Sequence, residues 1–343
     1  MAATAAPPVR VGVIGVGRIG RMHAELLARQ VAGASVAAVQ DAHDGNARAV
    51  AAELDVPVAA SAAELLADEG LDAVAICSST DTHAELIVAA ARAGKAIFCE
   101  KPVSLDLAEV DRALAAVQEA GVPFQIGFNR RFDPGHQSVR DAVARGAVGD
   151  VHLVRISSRD PAPPPLSYVK TSGGIFLDMT IHDFDMARFV TGSEVVDVHA
   201  RGAVRIDPGF AEWGDVDTAI VTLEHADGCL TAIDNSRRAV YGFDQRVEAF
   251  GSLGVATSEN PSAHAGVVRT AGGASASALP YFFLERYLPS YVREWEAFVA
   301  AVAAGEPPPV TAADARAPLV IGLAALRSLR EGRPVRVDEV EAA

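Results

Sequence analysis

The sequence predicts an α/β fold: an N-terminal Rossmann domain with a doubly wound parallel sheet, then an α+β domain with a large, mostly antiparallel open sheet. Up to residue 128, apolar strand-like runs alternate with Ala-rich helical runs, which is typical of a parallel sheet covered on both faces. The later half contains long alternating strands with hairpin turns. Because 343 residues exceed one ordinary domain, we expect two, residues 1–128 and 129–343.

The N-terminal half contains strand-like runs separated by helical stretches such as AELIVAAARAG. Each run is nearly continuous in apolar residues, as expected for a strand that is buried on both faces. In chain order the runs are VRVGVIG, ASVAAVQ, DAVAIC, KAIFCE and VPFQIGF.

The second half begins with a predicted connecting helix in RRFDPGHQSVRDAVARGAVGD and a strand in DVHLVRISSRD. PAPPPLSYVK predicts a loop, because proline fits neither a helix interior nor a central strand. GGIFLDMTIHDFDMARF predicts a single helix after a flexible pair of glycines. Alternating strands follow, residues 271–278 are expected to form a mobile loop, and helices near 284–304 and 311–330 close the chain.

The composition argues against several classes of partner. The formal net charge is −14 and no block of Lys or Arg occurs, so nucleic acid and anionic membranes are disfavoured and small molecules are favoured. The N-terminus lacks the pattern of a signal peptide, and no run approaches the ~20 apolar residues of a membrane span. The three cysteines, an odd and sparse set, suit a reducing compartment, so we expect a cytoplasmic protein.

A glycine fingerprint lies between the first strand and the first helix. Gly15, Gly17 and Gly20 form the pattern G-x-G-x-x-G, with Arg18 and Ile19 inside it. Glycines at this place allow a tight turn and the close approach of a pyrophosphate to the helix N-terminus, although they could also serve only to turn the chain. The strand before the pattern and the helix after it favour a dinucleotide site.

The end of the second strand indicates which dinucleotide binds. Asp41 can accept hydrogen bonds from the adenosine ribose hydroxyls and would repel a 2′-phosphate. No Arg follows at position 42 or 43. We therefore predict NAD rather than NADP, the alternative being that Asp41 is a solvated loop residue.

Polar residues follow two further strands at the same predicted edge, where open α/β sheets bind ligands. Candidate cofactor contacts from CSSTDTHAE and CEKP are Ser78, Ser79, Thr80, His83, Glu100 and Lys101. His83 could equally be an ordinary helix residue, and Lys101 a surface residue paired with Glu100. The peptide bond before Pro102 is a candidate for the cis form.

Asp178 and His182 lie four positions apart in the predicted helix, which places them ~40° and ~6 Å apart on one face. Three interpretations stay open. The carboxylate could satisfy a core histidine, the two residues could belong to a metal site, or His182 could accept a proton while Asp178 orients the ring or the substrate. No matching cluster supplies a third ligand, so no metal is expected.

The pKa values of the groups and the size of the electrostatic energy favour the acid/base interpretation. An alcohol has a pKa of ~16 and free histidine one of ~6.5, so proton removal must accompany hydride departure. An ammonium ~4 Å away, at an effective dielectric constant of ~20, favours the developing alkoxide by ~4 kcal/mol. Lys101 supplies this charge if the second domain folds its helix over the nicotinamide. The predicted catalytic residues are Lys101, Asp178 and His182.

Taken together, the glycine fingerprint, EKP and GGIFLDMTIHDFDMARF resemble the glucose–fructose oxidoreductase, inositol dehydrogenase and rhizopine catabolism (Gfo/Idh/MocA) family over essentially the whole chain. QIGFNRRFDP, RDPAPPP, DMTIHDFDMARF and SRRAVYGFDQRVEAFG are similar in particular to its bacterial inositol 2-dehydrogenases. The resemblance implies NAD-dependent oxidation of myo-inositol to scyllo-inosose (2-keto-myo-inositol) by a homotetramer.

The resemblance also implies which residues carry the activity. It assigns catalysis to Lys101, Asp178 and His182, and it implies the substrate contacts Asn129, Arg130, Asp160, Thr180 and Tyr241. Asn129 or Arg130 could instead be a hinge residue, and Tyr241 a packed strand aromatic. These residue types suit a small cyclic polyol, because each of its hydroxyls both donates and accepts.

Two other functions stay open at this point. One is an NAD-dependent dehydrogenase of another inositol isomer or of an aldose. The other is a non-catalytic nucleotide-sensing regulator, a function that predicts loss of the Lys, Asp and His set that this sequence retains.

Overall fold

The structure, a computed structural model, describes residues 7–341, so the first six residues of the N-terminus considered for a signal peptide lie outside it. The chain divides into two compact units. The first contains the described residues up to Asn129 together with Tyr291–Ala317, and the second contains Arg130–Ser290 together with the described residues from Pro318 onward.

The first unit contains a five-stranded parallel sheet, as the apolar runs predict. Its strands are β1 (Val9–Ile14), β2 (Ala34–Gln40), β3 (Ala73–Ile76), β4 (Ala96–Glu100) and β5 (Phe124–Gly127). Its helices are α1 (Arg18–Arg29), α2 (Asp44–Leu54), α3 (Ala62–Leu66), α4 (Thr80–Arg92) and α5 (Leu107–Ala120). The strand order β2-β1-β3-β4-β5 brings the carboxyl ends of β1 to β4 to one edge.

A 3₁₀ turn, Asn129–Phe132, has its first residue in the first unit and the rest in the second. Helix α6 (Pro134–Ala144) follows it in the second unit. The elements up to the middle of the unit are β6 (Val151–Arg159), α7 (Leu166–Val169), α8 (Gly174–Asp178), α9 (Ile181–Thr191), β7 (Val195–Ala203) and α10 (Gly209–Glu212). They are followed by β8 (Thr218–His225), β9 (Leu230–Ser236), β10 (Asp244–Gly251), β11 (Gly254–Ser258), β12 (Val267–Thr270) and β13 (Gly273–Ala276). The chain closes with α11 (Phe283–Ala304), α12 (Ala312–Glu331), β14 (Val335–Arg336) and α13 (Asp338–Glu341).

Strands of the second unit form a seven-stranded sheet in the order β11-β10-β6-β9-β8-β7-β14, which confirms the predicted large, mostly antiparallel sheet. Only the β6–β9 pair is parallel among the described pairs of this sheet. Strand β8 shows how its two faces differ: Val221 and Leu223 are buried in the core, whereas Ile220 is 60% exposed. Helices α6, α8, α9 and α12 contribute to the same core, which therefore lies on one face of the sheet.

The division of the chain differs from the single boundary that the sequence predicts after residue 128. Helices α11 and α12 each contribute residues to both units. The segment from the later part of α11 to the early part of α12, Tyr291–Ala317, belongs to the first unit. Trp295 stacks on Phe98 with ring centroids 4.2 Å apart, and Val310 accepts a backbone hydrogen bond from Ile126. These contacts make Tyr291–Ala317 part of the core of the first unit.

The predicted single helix in GGIFLDMTIHDFDMARF is wrong, because two helices occupy it. Helix α8 ends at Asp178 and α9 begins at Ile181. The His182 N–H donates to the Met179 carbonyl at 3.3 Å, a residue three positions back, whereas a continuous α-helix would use the Asp178 carbonyl. The ideal helical spacing expected for Asp178 and His182 therefore does not apply.

Two predicted loops contain regular structure. The Pro-rich segment ends in the single turn α7, which starts only after Pro165, where proline is tolerated. The loop expected at residues 271–278 contributes β13 to a two-stranded hairpin with β12. Among residues 7–341, no helix is long and apolar enough to span a membrane.

Two glycines in the left-handed region start α8, Gly173 at φ +83° and Gly174 at φ +78°. A Cβ on Gly174 would lie 2.7 Å from Oδ1 of Asp215, the oxygen that accepts the Ile175 N–H at 3.0 Å. The local sequence is thus explained by a turn that only glycine makes and by a carboxylate that begins the helix.

We predict that Gly174→Ala destabilises the protein more than Gly192→Ala. Both glycines have positive φ, which costs an alanine ~1–2 kcal/mol, but a Cβ on Gly192 would meet nothing within 4 Å. The clash with Asp215 should add ~1–3 kcal/mol for Gly174→Ala. Urea unfolding of the two variants measures the difference, and equal losses would contradict the proposed constraint.

Candidate functional site

The glycine fingerprint forms a tight loop between β1 and α1. Gly15 has φ +81°, and a Cβ there would lie 2.4 Å from the Cα of Ser78. A Cβ on Gly20 would lie 1.8 Å from the Gly15 carbonyl oxygen, whereas one on Gly17 would meet nothing within 4 Å. Gly17 therefore leaves open space at the N-terminus of α1, where no side chain caps the helix. The first N–H groups of α1, at Arg18 and Ile19, suit the pyrophosphate of a dinucleotide.

Asp41 follows β2 at the same edge and holds two loops in place. Its Oδ2 accepts the Val16 N–H at 2.7 Å and its Oδ1 accepts the His43 N–H at 2.7 Å. Oδ1 also accepts Nδ2 of Asn46 at 3.5 Å, whereas Oδ2 can accept a further hydrogen bond, as a ribose hydroxyl requires. Asp41 is thus also a structural residue of the glycine loop, which the sequence did not indicate.

Ser78, Ser79 and Thr80 lie between β3 and α4, at the carboxyl edge of the sheet. Their neighbour His83 is buried, with Nδ1 2.8 Å from the Pro102 carbonyl oxygen and Nε2 3.0 Å from the Ser78 carbonyl oxygen. Burial lowers the pKa of His83. With both ring nitrogens directed at carbonyls, His83 joins two loops, and its contact with the cofactor stays a prediction.

The EKP segment follows β4 and contains a cis Lys101–Pro102 peptide bond, as the sequence suggested. Glu100 accepts the Lys101 N–H at 3.2 Å through Oε2 and lies 2.8 Å from Nε2 of the fully buried His23 through Oε1. Trp295 donates its indole N–H to Nδ1 of His23 at 2.8 Å. Because an indole only donates, Nδ1 is the acceptor and Nε2 carries the hydrogen to Glu100.

His23 therefore supports the segment that carries Lys101, a role that the sequence did not indicate. It lies in α1, three positions after Gly20, and links that helix to the segment that carries Lys101. The only signal was a polar residue on the apolar face of α1, which does not identify its partners.

Asp178 is held from both sides in the second unit. Its Oδ1 accepts the hydroxyl of Tyr168 at 2.8 Å, and its Oδ2 accepts Nη2 of Arg237 at 2.9 Å. Arg237 is 3% exposed and also donates to Asp160 at 3.4 Å, so it joins two of the predicted site residues. Neither Arg237 nor Tyr168 was predicted, because their roles depend on contacts between distant segments.

His182 lies near the start of α9 and is partly buried, four residues after Asp178. Met179 and Thr180 separate α8 from α9. The relative position of the Asp178 and His182 side chains is therefore not that of residues four apart in one regular helix. Within residues 7–341, no group of three His, Cys, Asp or Glu side chains is placed to hold a metal ion.

A buried polar network surrounds Asp183. Arg130 donates to Asp183 at 2.8 Å, Asn235 donates to it at 2.7 Å, and Asn235 accepts the Thr180 hydroxyl at 2.7 Å. Burial raises the pKa of Asp183 to about 6, although the Arg130 guanidinium opposes this shift. The single hydrogen of the fully buried Thr180 hydroxyl is shared between Asn235 Oδ1 and the Ile175 carbonyl oxygen, 3.1 Å away, so Thr180 anchors the break between α8 and α9.

The other predicted substrate residues differ in exposure. Asn129 is 3% exposed, and its Nδ2 has no hydrogen-bond partner among residues 7–341. The side chain of Asp160 is 22% exposed, and burial raises its pKa. Tyr241 is 51% exposed; its hydroxyl donates to Asp244 at 2.7 Å and accepts from Arg159 at 3.0 Å.

The first unit therefore fits NAD. The open space above Gly17, the uncapped N-terminus of α1 and the spare acceptor capacity of Asp41 match a pyrophosphate and a ribose. The loops after β3 and β4 reach the same edge and can contact the nicotinamide half.

Comparisons with known proteins agree with this geometry. Residues 9–128 match the oxidoreductase family with an NAD-binding Rossmann fold, and residues 136–257 match the GFO/IDH/MocA C-terminal domain. The chain is 49% identical to the myo-inositol 2-dehydrogenase of Thermotoga maritima, over 97% of this chain and 99% of that protein. It is 46% identical to the inositol 2-dehydrogenase of Rhizobium meliloti, over 96% and 99% of the two chains.

A solved structure is similar over the same extent. The scyllo-inositol dehydrogenase of Lactobacillus casei, with bound NAD(H) and scyllo-inositol, is 29% identical with a TM-score of 0.90, covering 96% of this chain and 99% of that chain. Both domains, over 96–97% of the chain, thus agree with the resemblance seen in the sequence. The chain belongs to the GFO/IDH/MocA family of oxidoreductases, and its N-terminal domain is an NAD-binding Rossmann domain.

Proposed function

We propose that this protein catalyses the NAD-dependent oxidation of myo-inositol to scyllo-inosose. The observation that carries the proposal is the 49% identity to the myo-inositol 2-dehydrogenase of Thermotoga maritima over 97% of this chain. The acceptor-rich group of Asp160 and Asp178 supports it, because a cyclic polyol offers several hydroxyl donors at once.

Bound NAD supplies the acceptor for the hydride. In the proposed reaction His182 takes the proton of the reacting hydroxyl, and Lys101 stabilises the oxygen as negative charge develops on it. An ammonium ~4 Å from that oxygen contributes ~4 kcal/mol at an effective dielectric constant of ~20, about three of the ~9.5 pK units that separate an alcohol from imidazole, so the proton leaves together with the hydride. Asp178 orients His182 or the substrate as a hydrogen-bond acceptor.

The five proposed substrate residues differ in their exposure and in their hydrogen-bond partners, and so in the contact with substrate that each one suits. The unpartnered amide of the buried Asn129 and the partly exposed Asp160 suit direct hydrogen bonds to polyol hydroxyls. Arg130 and Thr180 are engaged by Asp183 and Asn235, which suits a supporting role beneath such contacts. The exposed Tyr241 suits a contact at the rim of the site.

The proposed assembly is a homotetramer formed through the second unit. Ile220, Leu230 and Phe250 are each about half exposed on the sheet face opposite the core. Exposed apolar side chains grouped on one face are typical of a protein–protein interface.

A second candidate is the oxidation of scyllo-inositol. The similarity to the Lactobacillus casei enzyme with bound scyllo-inositol favours this candidate. The two substrates differ in the orientation of one hydroxyl, so one buried partner decides between them.

The experiment that tests the function is a substrate panel. We expect NADH formation with myo-inositol at a kcat/KM at least ~10-fold above that with scyllo-inositol or any aldose, since one mismatched hydroxyl costs more than ~1.4 kcal/mol. Initial rates at 340 nm measure this. No activity on any inositol would refute the proposal, and a preference for scyllo-inositol would establish the second candidate.

Lys101→Met tests the stabilisation of the alkoxide. It keeps the apolar stem and removes the ammonium, so kcat should fall by ~10²–10³-fold, corresponding to ~3–4 kcal/mol. NAD binding, measured by fluorescence titration, should change by less than ~3-fold. Equal losses in turnover and NAD affinity would show that Lys101 serves the cofactor alone.

Asp41→Ser combined with Ala42→Arg tests the ribose contact. Removing the carboxylate and adding a guanidinium should raise the NADP/NAD ratio of kcat/KM by ~100-fold or more. Because Asp41 also binds Val16, Asp41→Ser alone is the control for damage to the glycine loop. An unchanged ratio in the double variant would show that the ribose is bound elsewhere.

A further inference from the structure

Arg237 follows β9 and is almost completely buried, with 4% of its side chain exposed. Its backbone N–H donates to the Asp217 carbonyl at 2.9 Å, which fixes the start of the side chain. Nη2 donates to Asp178 at 2.9 Å, and Nη1 lies 3.4 Å from Asp160. One guanidinium thus binds two carboxylates that come from different parts of the chain.

The surroundings of Asp178 contain an excess of negative charge. Tyr168 from α7 donates to one of its oxygens, and Arg237 binds the other. Asp160, after β6, and Asp215, before β8, face the same guanidinium, and burial raises the pKa of both carboxyls. Arg237 is therefore a cation that all three carboxylates share, and Arg130 in addition lowers the pKa of Asp160.

Burial alone lowers the pKa of Arg237, but Asp178 and Asp160 outweigh this effect and raise it, so the guanidinium stays charged. A buried carboxylate without such a partner favours its protonated form, because the ionised form is poorly solvated. Protonated Asp178 would carry a hydrogen and could no longer act only as an acceptor.

We infer that Arg237 is a positioning residue of the reaction: with Tyr168 it holds Asp178 in its ionised form and in one orientation, so that Asp178 acts as a hydrogen-bond acceptor and His182 alone exchanges the proton. This inference rests on the proposed function, since it concerns the carboxylate that works with His182. Charge and planar geometry contribute separately, because a lysine would keep the charge but would not bind both carboxylates.

Three variants separate these contributions. Arg237→Gln removes the charge, Arg237→Lys keeps the charge without the planar group, and Arg286→Gln is the control. Arg286 is an equally buried arginine, with 4% of its side chain exposed, and it pairs with Asp133. Thermal unfolding of all three variants shows whether Arg237→Gln and Arg286→Gln lose similar stability when a buried ion pair is removed. The values of kcat and KM are then measured from about pH 6 to pH 10 on the holoenzyme.

For Arg237→Gln we expect kcat at neutral pH to fall by ~100-fold while KM for NAD changes by less than ~2-fold. The acidic limb of the kcat profile should move upward by about one pH unit, because Asp178 without the positive charge of Arg237 takes up a proton at higher pH. Arg237→Lys should restore the position of the limb but only part of kcat. Arg286→Gln should leave the limb in place.

An infrared spectrum provides a readout that does not depend on activity. Arg237→Gln should show the band of a protonated carboxyl at pH 7, and the added change Asp178→Asn should remove that band. A missing band, or a kcat that falls by the same factor at every pH as in Arg286→Gln, would overturn the inference. If the wild-type protein oxidises no inositol, the proposed function fails, whereas the infrared result still decides whether Arg237 controls Asp178.

Discussion

The need to pair buried charged side chains determines the main polar contacts inside both units. Isolated ions are too poorly solvated inside a protein to persist, so each buried carboxylate has to meet a cation or several donors. In the first unit His23 donates to Glu100, beside Lys101. In the second unit Arg130 pairs with Asp183 and Arg237 pairs with Asp178. Each pair joins segments that are distant in sequence, so electrostatics also fixes loop positions.

The break between α8 and α9 follows from the same constraint. Asp215 accepts the Ile175 N–H at the start of α8, and Asp178 is bound by Tyr168 and Arg237 at its end. The Thr180 hydroxyl shares its one hydrogen between the Ile175 carbonyl oxygen and Asn235 Oδ1. A five-residue helix fixed at both ends does not need to continue into its neighbour. The carboxylate at its end is thereby placed by side chains rather than by helical geometry.

The sequence was informative wherever a local pattern has one structural solution. Continuous apolar runs predicted the parallel sheet, alternation predicted the antiparallel strands, and Gly15 and Gly20 occupy positions that leave no room for a Cβ. It was uninformative wherever partners are far apart. Arg237 and His23 acquire their roles from residues 59 and 77 positions away, and no spacing in the sequence encodes such contacts. For the same reason the sequence did not predict that His83 joins two loops.

The first unit is discontinuous in the chain, and this affects how it is made. Phe98 packs against Trp295 and Phe298, so the centre of this unit is incomplete until the ribosome has synthesised nearly the whole polypeptide. The dinucleotide half, although encoded first, therefore completes the packing around Phe98 only after Trp295 and Phe298 have been synthesised. A gene fragment that stops at residue 129 consequently encodes an unfinished domain.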